Sequence, residues 1–538
     1  MAATSDSAAA GGPSVDLLTP PAEDGGILVH PPAAEFVRLI DHNRRLRRTR
    51  QIALGGKPAP EITDGGGGPP VIGNGHQPNF HHPGVWAKQV VAARAAAELG
   101  GSARLWVVDS DAPRPPALSW PRVRPAGLEV ESLGWPPAAG TFEDLGGPRS
   151  AGWGEFAARL AGLVTQWPGT PLGAFVDALT SAAGLVSTPP HRPDAPADYV
   201  DCWIAAMRAV EPLLGVPPTR FERVSRLESG PLAACWERFA AHCLDEAERL
   251  AADYNAALAD YRRRRRIRGT QHPIPDLQSD ASRIEAPFWL IGADGLRRRL
   301  WVSRGRRGKK TVLFAYDQRV AELPPLDQVA AGAGFRAALG AWRLRPRALM
   351  LTTFARLFAC DLFLHGVGGA KYDRIADGFI RAFFRVEPPA YACVTATLRL
   401  PLPRRPAGPG DLLAARRAER DLAFNPQRYL GPRTDEEAVR ALLREREEAA
   451  AQSQRLRDVR RFDRAARREA FERIRRANTS LADAARRASD PAARLAALRR
   501  ELSENRLADS REWFFGLHSV ERLRALCDAL PQRFGRRG

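Results

Sequence analysis

The strongest constraint on this chain is a pattern met twice: an apolar run, a polar glycine-containing loop, a helix-length segment and a second apolar run. In the first copy Pro70-Val71-Ile72 leads into Gly73-Asn74-Gly75-His76-Gln77-Pro78-Asn79-Phe80-His81-His82-Pro83-Gly84. An Ala-rich helix follows from Val85 to Leu99, stopped by Gly100-Gly101. Leu105-Trp106-Val107-Val108 is then a short strand, ending in Asp109-Ser110-Asp111. The second copy has a helix over Ala348 to Phe358, a strand over Asp361 to His365, a Gly-rich turn over Gly366 to Ala370, a helix over Lys371 to Phe384 and a strand over Tyr391 to Leu400. Short apolar runs suit parallel strands covered on both faces, and parallel strands need helical crossovers. The chain therefore reads as α/β: a doubly wound sheet in two halves, with a long insertion between them.

The remaining segments fall into place around these halves. Residues 1–68 read as a disordered Ala/Gly/Ser/Pro-rich tail and linker with one short helix, Ala33 to Arg50. Residues 69–140 hold the first half of the core. Residues 141–285 read as a helical insertion, its clearest helix running from Pro231 to Arg268 with Gly269 as its stop. The run Arg262 to Arg266 at that helix's carboxyl end suits the helix dipole. Residues 286–409 combine an antiparallel meander, including a basic turn at Arg304 to Lys310, with the second half of the core. Residues 410–505 read as a helical coiled-coil arm. Thr434-x-x-Glu437 is a capping box opening its long helix, and the thin seam includes Leu456, Val459, Phe462 and Ala466. Asp490-Pro491 starts the next helix. Residues 506–538, with Trp513-Phe514-Phe515, read as a segment docking back on the globular body.

Composition narrows the function. The 538 residues suffice for two or three structural units, and the net charge is +19, nearly all of the excess being arginine. That charge attracts anions, yet no recognisable nucleic-acid module accompanies it, so nucleic acid is not the expected partner. The most apolar run, Ala348 to Gly366, is interrupted by Arg356 and Asp361, so no membrane span is expected. The start has neither a basic n-region nor an apolar h-region. Six scattered cysteines without a C-x-x-C pair suit buried, reduced thiols in a cytoplasmic protein.

The polar loop at a helix start is the first candidate site, because backbone N–H groups there face any ligand. His76, Gln77 and Asn79 are placed to bind a polar substrate, with His76 as acid or base; the alternative is a turn capped by its own side chains. Lys88, in the first turns of the following helix, either neutralises a bound anion or is a surface lysine. Asp109 and Asp111 end a strand at the usual ligand edge; Asp109 is the candidate catalytic partner of His76, and the alternative is a plain Asp-Ser-Asp turn. In the second copy His365, Gly366, Gly368, Gly369, Lys371 and Tyr372 form a candidate phosphate or carboxylate cradle, or else a tight strand-to-helix turn. The adjacent His81 and His82 point apart, so a metal site is not expected. No motif names a cofactor.

The order of elements resembles the bacillithiol biosynthesis cysteine-adding enzymes. That family opens a Rossmann-like core with a strand, a Gly-Gln-Gln loop, a Gly-Pro, a helix and a strand ending in acid. The matching stretch here is Gly75-His76-Gln77, Pro83-Gly84, Lys88 and Val107-Val108-Asp109-Ser110-Asp111, with His76 in place of the family's first Gln. The later Gly-rich turn matches His365-Gly366-Val367-Gly368-Gly369-Ala370-Lys371-Tyr372, and a coiled-coil arm follows in both. His76-Gln77-Pro78-Asn79-Phe80 is also similar to the opening of the WbqC-like proteins. The resemblance implies a ligase-like enzyme that joins cysteine to a sugar-linked amine, a small-molecule substrate. On the enzyme reading the arm either pairs two copies or covers the site. The alternative from composition is a non-catalytic basic scaffold for an acidic partner or nucleic acid.

Overall fold

The computed structural model describes residues 14–49, 52–54, 57–58, 68–136, 140–181, 197–303, 311–324, 329, 334–458, 463–488 and 490–535. The predicted basic turn Arg304 to Lys310, residues 1–13 of the amino-terminal tail, and Val459 and Phe462 of the arm lie outside them. The rest of the tail is not the expected disordered segment: Val15–Leu17 forms a 3-10 turn and Ile27–His30 a strand that pairs with Tyr391–Ala396. The described residues form a mixed α/β body and a separate helical unit, the latter comprising Pro121–Glu129 and Pro401–Ser510.

The body is built on a six-stranded sheet. Its strands are β1 (Ile27–His30), β2 (Val71–His76), β3 (Ser102–Val107), β4 (Arg220–Arg223), β5 (Leu362–His365) and β6 (Tyr391–Ala396), in the spatial order β1-β6-β5-β2-β3-β4. All are parallel except the edge strand β1, which runs antiparallel to β6. From β2 the chain steps outward through β3 to β4, then returns to β2's other side for β5 and β6. The direction of winding thus reverses between β2 and β5. In open α/β sheets ligands bind outside the carboxyl ends of the strands at such a reversal.

Strand alternation assigns the two faces. Val71, Trp106, Phe363 and Cys360 join one large core with the helices Ala233–Asp245 and Ala247–Arg265 and with a second sheet. That sheet is antiparallel, ordered Gln318–Glu322, Val312–Ala315, Arg297–Ser303, Arg283–Ile291, Arg343–Pro346, and contains the expected meander. Helix α1 (Phe36–Thr49) anchors to the start of β5: Arg44 and Arg47 pair with the buried Asp361 at 3.1 and 3.0 Å. The opposite face is covered by α2 (Pro83–Glu98), which is apolar nearly all round and correspondingly buried. A Cβ at Gly84 would lie 2.6 Å from the carbonyl oxygen of Ala396 and 2.7 Å from Thr395 Oγ1, so only glycine lets α2 approach β6 this closely.

Helix α3 (Tyr199–Leu213) carries a capping box on Asp198 and precedes β4. Helix α4 (Val367–Phe379) joins β5 to β6 through a π turn, Ile380–Phe384. The closing segment packs within the same body. Phe515 stacks on Trp86 with ring centroids 5.0 Å apart, and its N–H donates to the His81 carbonyl at 2.7 Å.

Several expected boundaries move. The Gly73–Gly84 loop is shorter, because β2 continues to His76, and α2 starts at Pro83 behind the N-cap His82. Ala348 to Phe358 is an α-helix only to Phe354, then a π turn to Ala359. The single helix Pro231 to Arg268 is two helices broken at Glu246. Leu244, Ala247 and Leu250 face one core across the break, so the apolar stripe does not register it. The second helix ends in left-handed Arg266 and not at Gly269, because Arg262 folds over the end to donate to the carbonyls of Thr270, His272 and Ile274. Gly366 to Ala370 is no turn: Gly366 is the N-cap, and Val367 onward is already α4.

In the helical unit, α5 (Pro409–Phe424), α6 (Glu437–Asp458), α7 (Arg464–Ala488) and α8 (Pro491–Ala508) enclose two small cores. The contacts Arg446–Asn478 and Gln452–Arg473 show α6 and α7 to be antiparallel. Thr434 caps no helix. Its hydroxyl donates to the Gly431 carbonyl inside a 3-10 turn. Asp490 does cap α8, accepting from Ala492 and Ala493 N–H.

Candidate functional site

At the end of β2 the backbone gathers three imidazoles. Gln77 O lies 3.2 Å from His76 Nδ1 and 2.8 Å from His81 Nε2, and the two rings meet edge-on at 4.5 Å. His82 Nδ1 accepts the Gly84 N–H at 3.1 Å, and its Nε2 lies 3.3 Å from Glu512. Burial drives all three toward the neutral form. His76 falls well below the usual imidazole range, with His81 and Lys88 adding to the effect. His81 falls to about 4 through burial, with the Gln77 carbonyl opposing. His82 falls to about 3 through burial, then Arg511.

Lys88 belongs to the same cluster. One turn into α2 it is 6 % exposed, and Nζ donates to the Gly75 carbonyl at 3.2 Å. Among the described residues no carboxylate pairs with it, and burial lowers its pKa from 10.5 to about 8. A Cβ on Gly366 would lie 3.9 Å from Lys88 Cδ, so the start of α4 borders this lysine. Lys88 and Lys371 both bear on Cys393, whose thiol burial pushes up to about 11.

The other predicted residues separate. Gln77 Nε2 donates to Asp111 at 2.9 Å, and Asp111 also pairs with Arg297. Asn79 lends its backbone: its carbonyl accepts from Trp203 Nε1 at 2.9 Å. Asp109 does not face His76 as a catalytic partner. It is fully buried and accepts from Arg223 Nε at 2.8 Å and from Ser225 N and Oγ at 2.8 and 2.5 Å, which engages both its oxygens. Arg223 continues to Asp198 and Asp201, so Asp109 ties β3 to β4 and to the cap of α3.

His365 is likewise no part of the cradle. By alternation it lies on the face opposite His76, between Phe363 and Tyr391. Its Nε2 is 3.1 Å from Asp373 Oδ2, a contact not aligned for a hydrogen bond. Asp373 and Asp377 both pair with the buried Arg356, and this holds the Asp373 carboxyl well below the usual carboxylate range. A Cβ on Gly369 would sit 3.1 Å from His365 Nδ1, so the imidazole would have to give by a few tenths of an ångström to admit it. Gly368 meets nothing within 4 Å. Tyr372 is 52 % exposed and turned to solvent.

The predicted site thus divides. His76, Lys88, Gly366 and the first turn of α4 remain together at the reversal between β2 and β5. Asp109, Asp111 and His365 belong to the supporting framework. Asn74 escaped sequence reasoning: it is 1 % exposed in β2, its Nδ2 has no acceptor, and it shares the α2 face with His76. A lone amide among apolar strand residues was its signal. Arg356 stood out as a charge within an apolar run, whereas Arg223, Ser225 and Arg297 carried no such signal, because they meet their acids only through the tertiary fold. Among the described residues no three His, Cys, Asp or Glu side chains converge as a metal site, and no helix is long and apolar enough to cross a membrane. The six cysteines are free and buried. Compared with protein-family models and with curated proteins, the chain matches none.

Proposed function

We propose that the crevice between the ends of β2 and β5 is the active site of a ligase-like enzyme of the cysteine-adding type, on a Rossmann-like core. It joins the carboxyl carbon of an amino acid to the amine of a small, sugar-linked acceptor: the amide C–N bond forms, the amine gives up a proton, and the carboxyl C–O bond breaks, its oxygen leaving as water or, where ATP activates the carboxyl group, with the transferred phosphate. The observation that carries this reading is Lys88: a buried ammonium without an acid, beside a neutral imidazole. A buried cation lacking a partner favours an anionic group brought by one of the reactants. Neutral His76 suits a base that takes the proton from the acceptor's amine as the amide forms. The strand order supports the Rossmann-like assignment, since counting from β2 the parallel strands stand in the order 3-2-1-4-5. The exposed Phe424 and Phe471 of the helical unit suit the pairing of two copies through the arm.

The scaffold reading has less behind it. The arginines of the antiparallel sheet that would meet an acidic partner are engaged within the chain. Arg297 pairs with Asp111, Arg299 and Arg347 with Glu285, Arg343 with Asp144 and Arg345 with Glu143.

The test is to incubate the purified chain with cysteine and an amine-bearing sugar conjugate, with and without ATP, and to seek the thiol-bearing amide by mass spectrometry. The expected result is product, reduced about 10²-fold or more by His76→Ala. No product under either condition overturns the proposal.

A further inference from the structure

The first turn of α4 has the shape of an anion cradle. Gly366 as N-cap offers no side chain, so the N–H groups of Val367, Gly368 and Gly369 have neither an intrahelical acceptor nor a side-chain cap. The helix dipole adds partial positive charge at the same place. Gly368 and Gly369 are exposed, and no Cβ covers the amides. A helix start alone does not make a site, and here two buried side chains from other elements add to it. Lys88 reaches from α2 to within van der Waals distance of a Cβ on Gly366, holding an ammonium with one hydrogen bond and no counter-charge. Asn74, paired in register with Leu364 two residues before Gly366, keeps a buried Nδ2 without an acceptor.

We propose that the amides of Val367, Gly368 and Gly369, with Lys88, hold the phosphoryl group of a small phosphorylated substrate. Three N–H donors at one helix start, beside a buried ammonium, match the three terminal oxygens of a tetrahedral phosphoryl group better than the two of a carboxylate. The proposal rests on the crevice being the site, and it adds that one of the reactants brings a phosphate.

The experiment is calorimetric titration of the full chain with inorganic phosphate at constant ionic strength, repeated with succinate. Gly368→Asp is the decisive variant. Its side chain enters open space, and an acid in the first turn of a helix favours the fold, so the protein stays folded while the carboxylate repels the anion. The expected result is saturable phosphate binding, weakened at least tenfold by Gly368→Asp and by Lys88→Met. Absence of binding at tens of millimolar phosphate, unchanged binding in Gly368→Asp, or equal affinity for succinate overturns the proposal. Phosphate binding without cysteine addition overturns the proposed activity alone, and cysteine addition without phosphate binding overturns the cradle alone.

Discussion

Replacing Lys88 by methionine should make the protein more stable at neutral pH, although it removes the candidate site's principal cation. Lys88 is 6 % exposed and without a carboxylate partner, and its pKa falls from 10.5 to about 8. At about 1.4 kcal/mol per pKa unit, the charged form destabilises the folded state by about 3 kcal/mol. Losing the hydrogen bond to Gly75 offsets about 1 kcal/mol of the gain, leaving a net stabilisation of about 2 kcal/mol in Lys88→Met. The sign also fixes a pH window. The folded pKa lies below the unfolded one, so between pH 8 and 10.5 the unfolded chain binds more protons, and wild-type stability rises with pH. Below pH 8 both states are charged and the penalty is complete; above 10.5 both are neutral and it is gone. The variant's advantage should therefore be greatest at pH 7, vanish where the penalty has fallen to about 1 kcal/mol, between about pH 9.5 and 10, and reverse by about 1 kcal/mol above 10.5, where only the lost hydrogen bond remains. Urea unfolding of the two proteins across this range, followed by tryptophan fluorescence, measures the difference, to which every other titrating group contributes alike. A variant less stable than wild type at pH 7, or an advantage that does not change between pH 8 and 10.5, would show that Lys88 is compensated in the fold.

Two further outcomes follow from the framework. Asp109→Ala should cost about 3–5 kcal/mol, because it leaves Arg223 buried with one acid fewer, whereas Asp111→Ala, one quarter exposed, should cost about 1 kcal/mol or less. Thermal melting compares them, and an Asp109→Ala protein that melts like wild type while losing activity would restore Asp109 to the catalytic role. Stability should also fall as the pH drops from 6.5 toward 4, since His76, His81 and His82 are held neutral by burial and the unfolded chain takes up their protons first. His82→Asn keeps an N-cap acceptor but does not titrate, so its stability should decline less steeply in urea unfolding at pH 6.5, 5.5 and 4.5.

The alternation of apolar runs with helix-length segments made the sheet legible, because parallel strands buried on both faces leave a continuous hydrophobic signature. Where one element became two, at Glu246, both parts faced the same core, and a periodicity that reports burial does not report a kink. The loop of the first copy was legible as a site for a similar reason: polar residues between two apolar elements have no core to enter. The second copy was misread in detail. Its glycines signalled a turn, but they lie in the first turn of a helix, where Gly369 answers to His365 and Gly368 answers to no neighbour. That distinction is tertiary and leaves no trace in spacing.

The same reasoning explains why acids were the least predictable members of the site. Asp109 and Asp111 end a strand at the ligand edge, which is where a catalytic carboxylate would be sought. Yet arginines from elements far along the chain reach this edge, Arg223 from β4 and Arg297 from the antiparallel sheet, and each takes an acid. The excess of arginine therefore acts first on the protein's own carboxylates. With Asp109 and Asp111 engaged in this way, neither faces Lys88, and a buried ammonium keeps a charge that only a ligand can meet. An arginine-rich framework and a positively charged candidate site are in this sense one property, and the site should lose part of its preference for anions if Arg297 is replaced, because Asp111, held by Gln77 next to His76, would then keep an unanswered charge.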